Sequence, residues 1–358
     1  MSIKEIANRA GVSTATVSRV LNTPNYKCSS PELRNKIWKI AMEMNYSPNE
    51  AARNLRRGNI DSDEKTYTIQ VIVTRTNQSG ADPFYAELLR EIESEIHKNL
   101  CILSSVTFLP ILSDEKKGRY TNWDDYIQKY VDENNENCDG LIVIGKCRRE
   151  ALLKLKQCYP NIICINRNST NYEVDEILCD GQKIAETAVE YLIKLGHTEL
   201  GYVGDCHKES RYQGFLKTLD KHDIELEHSY IMQTDQTEKE GYECMKKWLK
   251  SDACPTGIYC ANDITAVGML KCLQKYKNRY FTPSIIASDD IECAQETKPM
   301  LTTVRLPKDN MAKLALYLLI DRMKGGHKDI IRVELEGKLM IRNSCLPANE
   351  SNWNDYCI

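Results

Sequence analysis

From residue 66 onward, short apolar runs alternate with longer amphipathic segments, and this alternation restricts the possible folds more than any other feature of the chain. The apolar runs are typical of buried strands and lie at Tyr67–Thr74, Leu100–Phe108, Gly140–Ile144, Ile162–Ile165 and Leu200–Val203. The segments between them have apolar residues at helical spacing and lie at Tyr85–Lys98, Tyr120–Glu133, Ala151–Cys158 and Gln182–Leu195. This pattern predicts an α/β fold of doubly wound parallel sheets, which bind ligands at the carboxyl ends of their strands.

Charge is distributed unevenly along the 358 residues. Residues 1–58 contain ten lysines and arginines and four acidic residues, so they carry +6, whereas the whole chain carries −3 and the remainder therefore carries −9. A basic head on an acidic body favours a polyanion-binding module joined to a second domain.

The basic head has the pattern of a helix-turn-helix. Ile3–Ala10 predicts one short helix, Gly11 permits a tight turn, and Ser13 is a suitable N-cap for a second helix over Thr14–Leu21. A third helix over residues 31–45 would close the small core. The second helix presents short polar side chains and one arginine to a major groove, where Arg19 can read guanine while Ser13, Ser18 and Asn22 suit phosphates. The alternative is a helical hairpin with a solvated polar face.

A short basic segment follows, in which Asn49 can cap a helix of about two turns. Leu55 is a lone large apolar residue beside Arg53, so it is either an exposed leucine or a wedge for the minor groove. Residues 61–65 form a polar linker, so we expect a head over 1–46 and a hinge helix and linker over 47–65.

Several classes of protein are disfavoured by what the sequence lacks. It has no signal peptide and no apolar run long enough for a membrane span, which predicts a soluble, cytoplasmic protein without a membrane partner. The 15 cysteines are scattered and the six histidines have no ligand spacing, so we expect reduced thiols and no metal. Glycine-rich phosphate loops and nucleophile motifs are missing, which favours a protein that is not an enzyme and has no cofactor.

Two motifs at a characteristic separation resemble the head and hinge of the lactose/galactose repressor (LacI/GalR) family. They are Ile6-Ala7, Ala10-Gly11-Val12-Ser13 and Thr16-Val17-Ser18-Arg19-Val20-Leu21-Asn22, followed by Tyr46-x-Pro48-Asn49-x-x-Ala52-Arg53-x-Leu55. The resemblance implies major-groove reading by Thr14, Ala15 and Arg19, with Ala52 and Leu55 in the minor groove. It also implies a homodimer bound to a palindromic operator in double-stranded DNA.

The resemblance extends through the body, to about residue 346, in Asp139-Gly140, Arg211-x-x-Gly214-Phe215, Ala261-Asn262-Asp263, Asp289-Asp290 and Leu301-Thr302-Thr303-Val304. It implies a body over 66–347 similar to periplasmic sugar-binding proteins, with a tail over 348–358. The two lobes would span about 66–167 with 300–328, and about 168–299 with 329–347. The chain would cross between them near 167, 300 and 329. The tail has no leucine heptad, so a dimer is expected.

A sugar-like effector between the lobes fits the polar residues near the strand ends, because carboxylates accept hydroxyl protons while arginine and amide groups donate to oxygens. The predicted effector site comprises Phe84, Tyr85, Arg167, Arg211, Gln236, Asn262 and Asp289, with Lys146 as a weaker member. Asp180 is expected to cap a helix instead. The resulting hypothesis is a repressor of carbohydrate-utilisation genes that a bound sugar releases from DNA. A stand-alone sugar-binding module, a regulator with a non-sugar effector and an enzyme remain the alternatives.

Overall fold

The computed structural model describes residues 3–22, 33, 36–37, 40, 65–75, 82–113, 117–134, 138–207, 209–251, 254–276 and 282–349. The chain divides into two compact units, Met1–Lys65 and Thr66–Ile358. This division falls at the end of the linker that the sequence predicted.

The N-terminal unit contains the two predicted helices, α1 (Ile3–Ala10) and α2 (Thr14–Asn22). Gly11 has a φ of 74°, which explains the glycine at the turn, and the Ser13 hydroxyl accepts from the Thr16 amide at 3.1 Å. Four residues of the predicted third helix are described, and all four are helical. Leu33, Ile37 and Ile40 pack in a core with α1 and α2, and the exposed Lys36 donates to the Ala10 carbonyl oxygen at 3.2 Å. The rest of that helix, the predicted hinge helix and most of the linker lie outside the described residues.

Two six-stranded sheets form the body, as the alternation of strands and helices predicted. The first has the order β11-β5-β4-β3-β1-β2 and is parallel in every pairing, with the strands β1 (Thr68–Val73), β2 (Ile102–Phe108), β3 (Gly140–Ile144), β4 (Ile162–Asn166), β5 (Asp175–Leu178) and β11 (Arg332–Glu334). The second has the order β12-β10-β9-β8-β6-β7, with the strands β6 (Leu200–Gly204), β7 (Ile231–Gln233), β8 (Gly257–Cys260), β9 (Ser284–Asp289), β10 (Thr302–Arg305) and β12 (Lys338–Met340). Among the strands that the structure describes, only β12 runs antiparallel to its neighbour.

The helices of the body cover both sheets, and they are α3 (Pro83–Lys98), α4 (Trp123–Asn134), α5 (Arg149–Cys158), α6 (Gly181–Lys194), α7 (Ser210–Lys221), α8 (Glu238–Lys250), α9 (Asp263–Lys275) and α10 (Lys308–Met323). The predicted bounds of the first four of these differ from the observed ones by at most three residues, because burial periodicity marks the middle of a helix better than its ends. None of the helices described is long and apolar enough to cross a membrane.

The chain crosses between the two lobes at higher residue numbers than the sequence predicted. Strand β5 pairs with β4 in the first sheet, so the first crossing follows residue 178 and does not lie near 167. Strand β10 pairs with β9 in the second sheet, which moves the second crossing past residue 305. Strand β11 then pairs with β5, so the third crossing follows residue 334 and does not lie near 329. Hydrogen bonds to a neighbouring strand decide which sheet a short strand belongs to. The periodicity of apolar residues does not show which strand that neighbour is.

Helices α8 and α9 approach so closely that only glycine fits at their crossing. A Cβ atom on Gly241 would lie 2.0 Å from the Thr265 carbonyl oxygen, and one on Gly268 would lie 1.9 Å from the Glu238 carbonyl oxygen. Both obstacles are backbone atoms of the opposite helix, so no side-chain rotation relieves the clash.

We expect Gly268→Ala to lower the free energy of unfolding by about 1–3 kcal/mol, because the added methyl forces the two helices apart. Urea unfolding followed by circular dichroism measures the change. Glu243→Ala, at an exposed position on α8, is the control and should alter stability by less than about 0.5 kcal/mol. Equal stabilities for Gly268→Ala and the control would show that the helices can separate without loss.

Candidate functional site

A cavity lies between the two sheets, at the carboxyl ends of their parallel strands. Its empty volume, counted together with the open solvent at its mouth, is about 710 Å³. Both lobes and α10 line it, through Arg75, Asp82, Phe84, Tyr85, Leu88, Ser113, Ile144, Gly145, Lys146, Ile165, Asn166, Arg167, Asn168, Asp205, Glu209, Arg211, Gln236 and Met311. Five of the seven residues of the predicted effector site are among them.

The start of α3 supplies the aromatic wall. Asp82 caps this helix by accepting from the Phe84 amide at 3.0 Å, and burial raises the pKa of its carboxyl despite nearby Arg167 and Arg75. Phe84 belongs to the apolar core and is only 4% exposed, and the Arg167 guanidinium carbon lies 4.2 Å from the centroid of its ring. Phe84 therefore supports Arg167, and the half-buried Tyr85 is the aromatic side chain better placed to face a ligand.

Arg211 is held rigidly on the opposite wall. Its Nε donates to Glu209 at 2.8 Å, one terminal nitrogen donates to the Ala261 carbonyl oxygen, and the other donates to the Gln236 side chain at 3.2 Å. Burial alone would lower the pKa of Arg211, but the Glu209 carboxylate raises it above the usual value. This guanidinium is permanently charged and fixed in direction, which suits a donor to ligand oxygens.

Asn262 does not line the cavity, contrary to the sequence-based assignment. It is the N-cap of α9, where its side-chain oxygen accepts from the Thr265 amide at 3.3 Å and from the Thr265 hydroxyl at 2.5 Å. Its amide nitrogen donates to the Gln236 carbonyl oxygen at 3.0 Å. Asn262 therefore positions Gln236. The side-chain oxygen that was expected to bind a ligand caps α9 instead.

Asp289 also lies behind the cavity wall, where its carboxylate forms a buried ion pair with Arg167. Asp289 ends β9 in the second sheet and Arg167 follows β4 in the first, so the pair joins the two lobes. Burial raises the pKa of Asp289 to about 6 although Arg167 and Arg211 oppose the shift. Next to it, burial and the charge of Asp289 raise the pKa of Asp263 to about 7.

Glu209 is the main cavity residue that the sequence analysis missed. It is the N-cap of α7, accepts from the Arg211 and Tyr212 amides and is 5% exposed. A glutamate two residues before Arg211 was the available signal, but a surface capping role would produce the same pattern. Asp180 caps α6 through the Gln182 amide, as predicted.

The predicted DNA-reading residues are described only in part. Ser13, Thr14 and Arg19 are exposed, at the start and on the outer side of α2. Ala15, Ser18 and Asn22 lie within α2, whereas Ala52, Arg53 and Leu55 lie outside the described residues. The exposed part of this face is compatible with a major groove. In the described residues, no group of histidine, cysteine or acidic side chains is placed to hold a metal ion.

Two family models match the chain. Residues 2–49 match the lacI family of bacterial regulatory proteins, and residues 189–345 match a periplasmic binding protein-like domain. Among solved structures, the fold is similar to a complex of the transcriptional regulator CelR with cellobiose, with a TM-score of 0.66 and 22% identity over 96% of this chain and 100% of that one. It is also similar to a LacI family transcriptional regulator from Enterococcus faecium with bound ribose. The TM-score is 0.64 and the identity 23%, and the match covers 78% of this chain and 99% of that one.

Curated relatives match over nearly the whole length. The ribose operon repressor of Haemophilus influenzae is 30% identical over 349 residues, which cover 96% of this chain and 98% of that protein. The HTH-type transcriptional repressor PurR of Proteus mirabilis is 28% identical over 351 residues, which cover 96% of each. Together with the helix-turn-helix head and the two-lobed body, these similarities show that the chain belongs to the lacI family of bacterial regulatory proteins and is a DNA-binding transcriptional regulator.

Proposed function

We propose that this regulator represses carbohydrate-utilisation genes and that a small sugar, bound between the lobes, releases it from DNA. The working form is a homodimer on a palindromic operator, in which the paired hinge segments enter the minor groove only in the high-affinity state. Ligand binding changes the lobe orientation and thereby the spacing of the hinges. The coupling acts reciprocally, so DNA must weaken sugar binding by the same factor.

The cavity between the lobes is the observation that carries this proposal. Its two buried guanidinium groups already have carboxylate partners, Glu209 for Arg211 and Asp289 for Arg167. The site therefore offers directed donors and acceptors with little uncompensated charge, which favours a neutral ligand rich in hydroxyl groups. Tyr85 provides an aromatic surface for the apolar face of a sugar ring.

The relatives support the same ligand class. A repressor of a ribose operon is 30% identical to this chain, and two structures of similar fold hold ribose and cellobiose. The competing ligand is a purine or another planar effector, because Tyr85 could stack on it equally well.

The decisive experiment measures binding of the protein to its own upstream genomic DNA, with and without ribose, galactose, cellobiose and a purine base, at two salt concentrations. Salt-sensitive, site-specific binding that one sugar relieves is the expected result. Relief by the purine alone would replace the sugar with a planar effector, and specific binding that tightens with a sugar would make that sugar a corepressor.

We expect Arg19→Met to weaken binding to the specific site by about 1–3 kcal/mol, or about 5–150-fold, while non-specific binding changes little. The reason is that an arginine fork reads one base pair, whereas the total charge sets non-specific affinity. Arg9→Met removes the same charge from the exposed side of α1 and should retain specificity. Fluorescence anisotropy with specific and scrambled duplexes measures both. If the two variants lose specificity equally, α2 is not the reading helix.

Sugar affinity should fall as the pH is lowered through about 6, because the raised pKa of Asp289 leaves it ionised above that value and protonated below it. Protonation removes the ion pair that orients Arg167, so we expect about a tenfold loss between pH 7.5 and pH 5. Asp289→Asn should bind weakly at both values and lose the pH dependence. Isothermal titration calorimetry measures the affinity.

Asp235→Asn, an exposed carboxyl on the same side of the cleft, is the matched control and should keep the wild-type pH profile. Sugar binding by Asp289→Asn that matches the wild type at both pH values would remove Asp289 from the site.

A further inference from the structure

The loop that follows β9 has an unfavourable backbone conformation. Asp289 and Asp290 have φ values of 130° and 51°, and neither is a glycine. Residues with a Cβ atom rarely adopt these values, so the surrounding contacts must hold them in place. The same loop begins with the carboxylate that pairs with Arg167 at the cleft.

The second lobe anchors the loop from one side. The buried Asp263 carboxylate accepts from the Ile291 amide at 2.9 Å and from the Thr303 hydroxyl at 2.6 Å. Arg342 pairs with the Asp290 carboxylate. These contacts lie within one lobe, so they hold the loop in place without regard to the orientation of the other lobe.

The first lobe holds the loop through a second set of contacts. Lys308, the first residue of α10, donates from Nζ to the carbonyl oxygens of Asp289 and Asp290, each at 3.0 Å. Its third partner is Glu87 on α3, whose carboxylate lies 2.9 Å from Nζ. The three donors of the ammonium group therefore have three acceptors. The other oxygen of Glu87 accepts from the Glu292 amide at 2.9 Å.

Glu87 and Lys308 both belong to the first lobe, because α10 packs on α3 and on strands of the first sheet. Their side chains are only 11% and 14% exposed, which protects the interaction from solvent. A nearby ion pair between Arg90 of the first lobe and Glu292 of the second is largely exposed, so it contributes little.

The pair is connected directly to the cleft wall. Glu87 lies three residues after Phe84, on the same side of α3, and the Phe84 ring contacts the Arg167 guanidinium. Lys308 Nζ lies 5.7 Å from the centre of that ring. A ligand that hydrogen-bonds to Arg167 would therefore act through the ion pair on Asp289, whose carbonyl oxygen Lys308 holds.

We propose that Glu87 and Lys308 form an interlobe latch, a pair of positioning residues that couples occupancy of the cleft to the orientation of the two lobes. The latch holds backbone atoms of residues 289, 290 and 292, so it responds to movement of the loop. It rests on the proposed function in one respect, namely that the cleft is the effector site.

The test compares Lys308→Met with the wild-type full chain without ligand. Spin labels are introduced through an unnatural amino acid at exposed Lys129 and Lys239, one on each lobe, because the native cysteines preclude thiol labelling. Excess unlabelled protein restricts the signal to pairs within one chain. Pulsed electron paramagnetic resonance gives the interlobe distance, and hydrogen exchange reports the Ile291 and Glu292 amides.

We expect Lys308→Met to broaden or shift the interlobe distance and to accelerate exchange at Glu292 by about tenfold, as loss of a charge-assisted contact implies. Exchange at Ile291 should stay unchanged, because Asp263 of its own lobe holds it. Lys308→Arg keeps the charge and the donors and should restore the wild-type distance. Lys313→Met, an exposed lysine on the same helix, should leave both readings unchanged.

If Lys308→Met has the same interlobe distance and the same Glu292 exchange rate as the wild type, the latch is overturned. This outcome does not depend on whether any sugar binds. Failure of the proposed function has a different signature, since the wild-type distance would then not move with ribose, galactose or cellobiose. If one sugar shifts the wild-type distance, the same sugar should shift that of Lys308→Met by a smaller amount, and an equal shift would contradict the coupling.

Discussion

The buried ion pair between Arg167 and Asp289 connects the two sheets, and the cleft is arranged around it. Removing one partner of such a pair leaves an uncompensated charge in a poorly solvated place, at a cost of about 3–5 kcal/mol. Phe84 covers the guanidinium from one side, and the backbone of Asp289 adopts a strained conformation to present its carboxylate. A molecule in the cleft therefore meets Arg167 with its charge already compensated by Asp289.

A buried arginine paired with a carboxylate also organises the opposite wall of the cleft. Arg211 has its own carboxylate in Glu209, and Gln236 connects it to the cap of α9 through Asn262. Because these partners fix the guanidinium before a ligand arrives, little side-chain entropy remains to be lost on binding. The wall formed by Arg211 is therefore preorganised within its own lobe, whereas Arg167 is oriented by Asp289 of the other lobe.

The family resemblance named five of the residues that line the cavity, and the topology of the sheets explains why residues from separate strands meet there. Parallel strands have their carboxyl ends at one edge, so polar residues just after several strands meet without any knowledge of the long-range contacts. Arg167 and Arg211, which the family resemblance implied and which lie near strand ends, line the cavity, and so does Gln236, which the resemblance alone implied. Asn262 was misassigned because a residue that follows a strand and precedes a helix can face the ligand or cap the helix, and its hydrogen-bonding groups suit both roles.

By itself, the sequence determined the helix-turn-helix, the alternation of strands and helices and most element positions, because periodicity and capping are local properties of the chain. Only the tertiary structure decided which sheet receives the short strands β5, β10 and β11, and hence where the chain crosses between lobes. It also decided the partners of Glu87 and Lys308, which lie far along the chain from them. A charged side chain is compatible with many such partners, and packing of the two lobes selects among them.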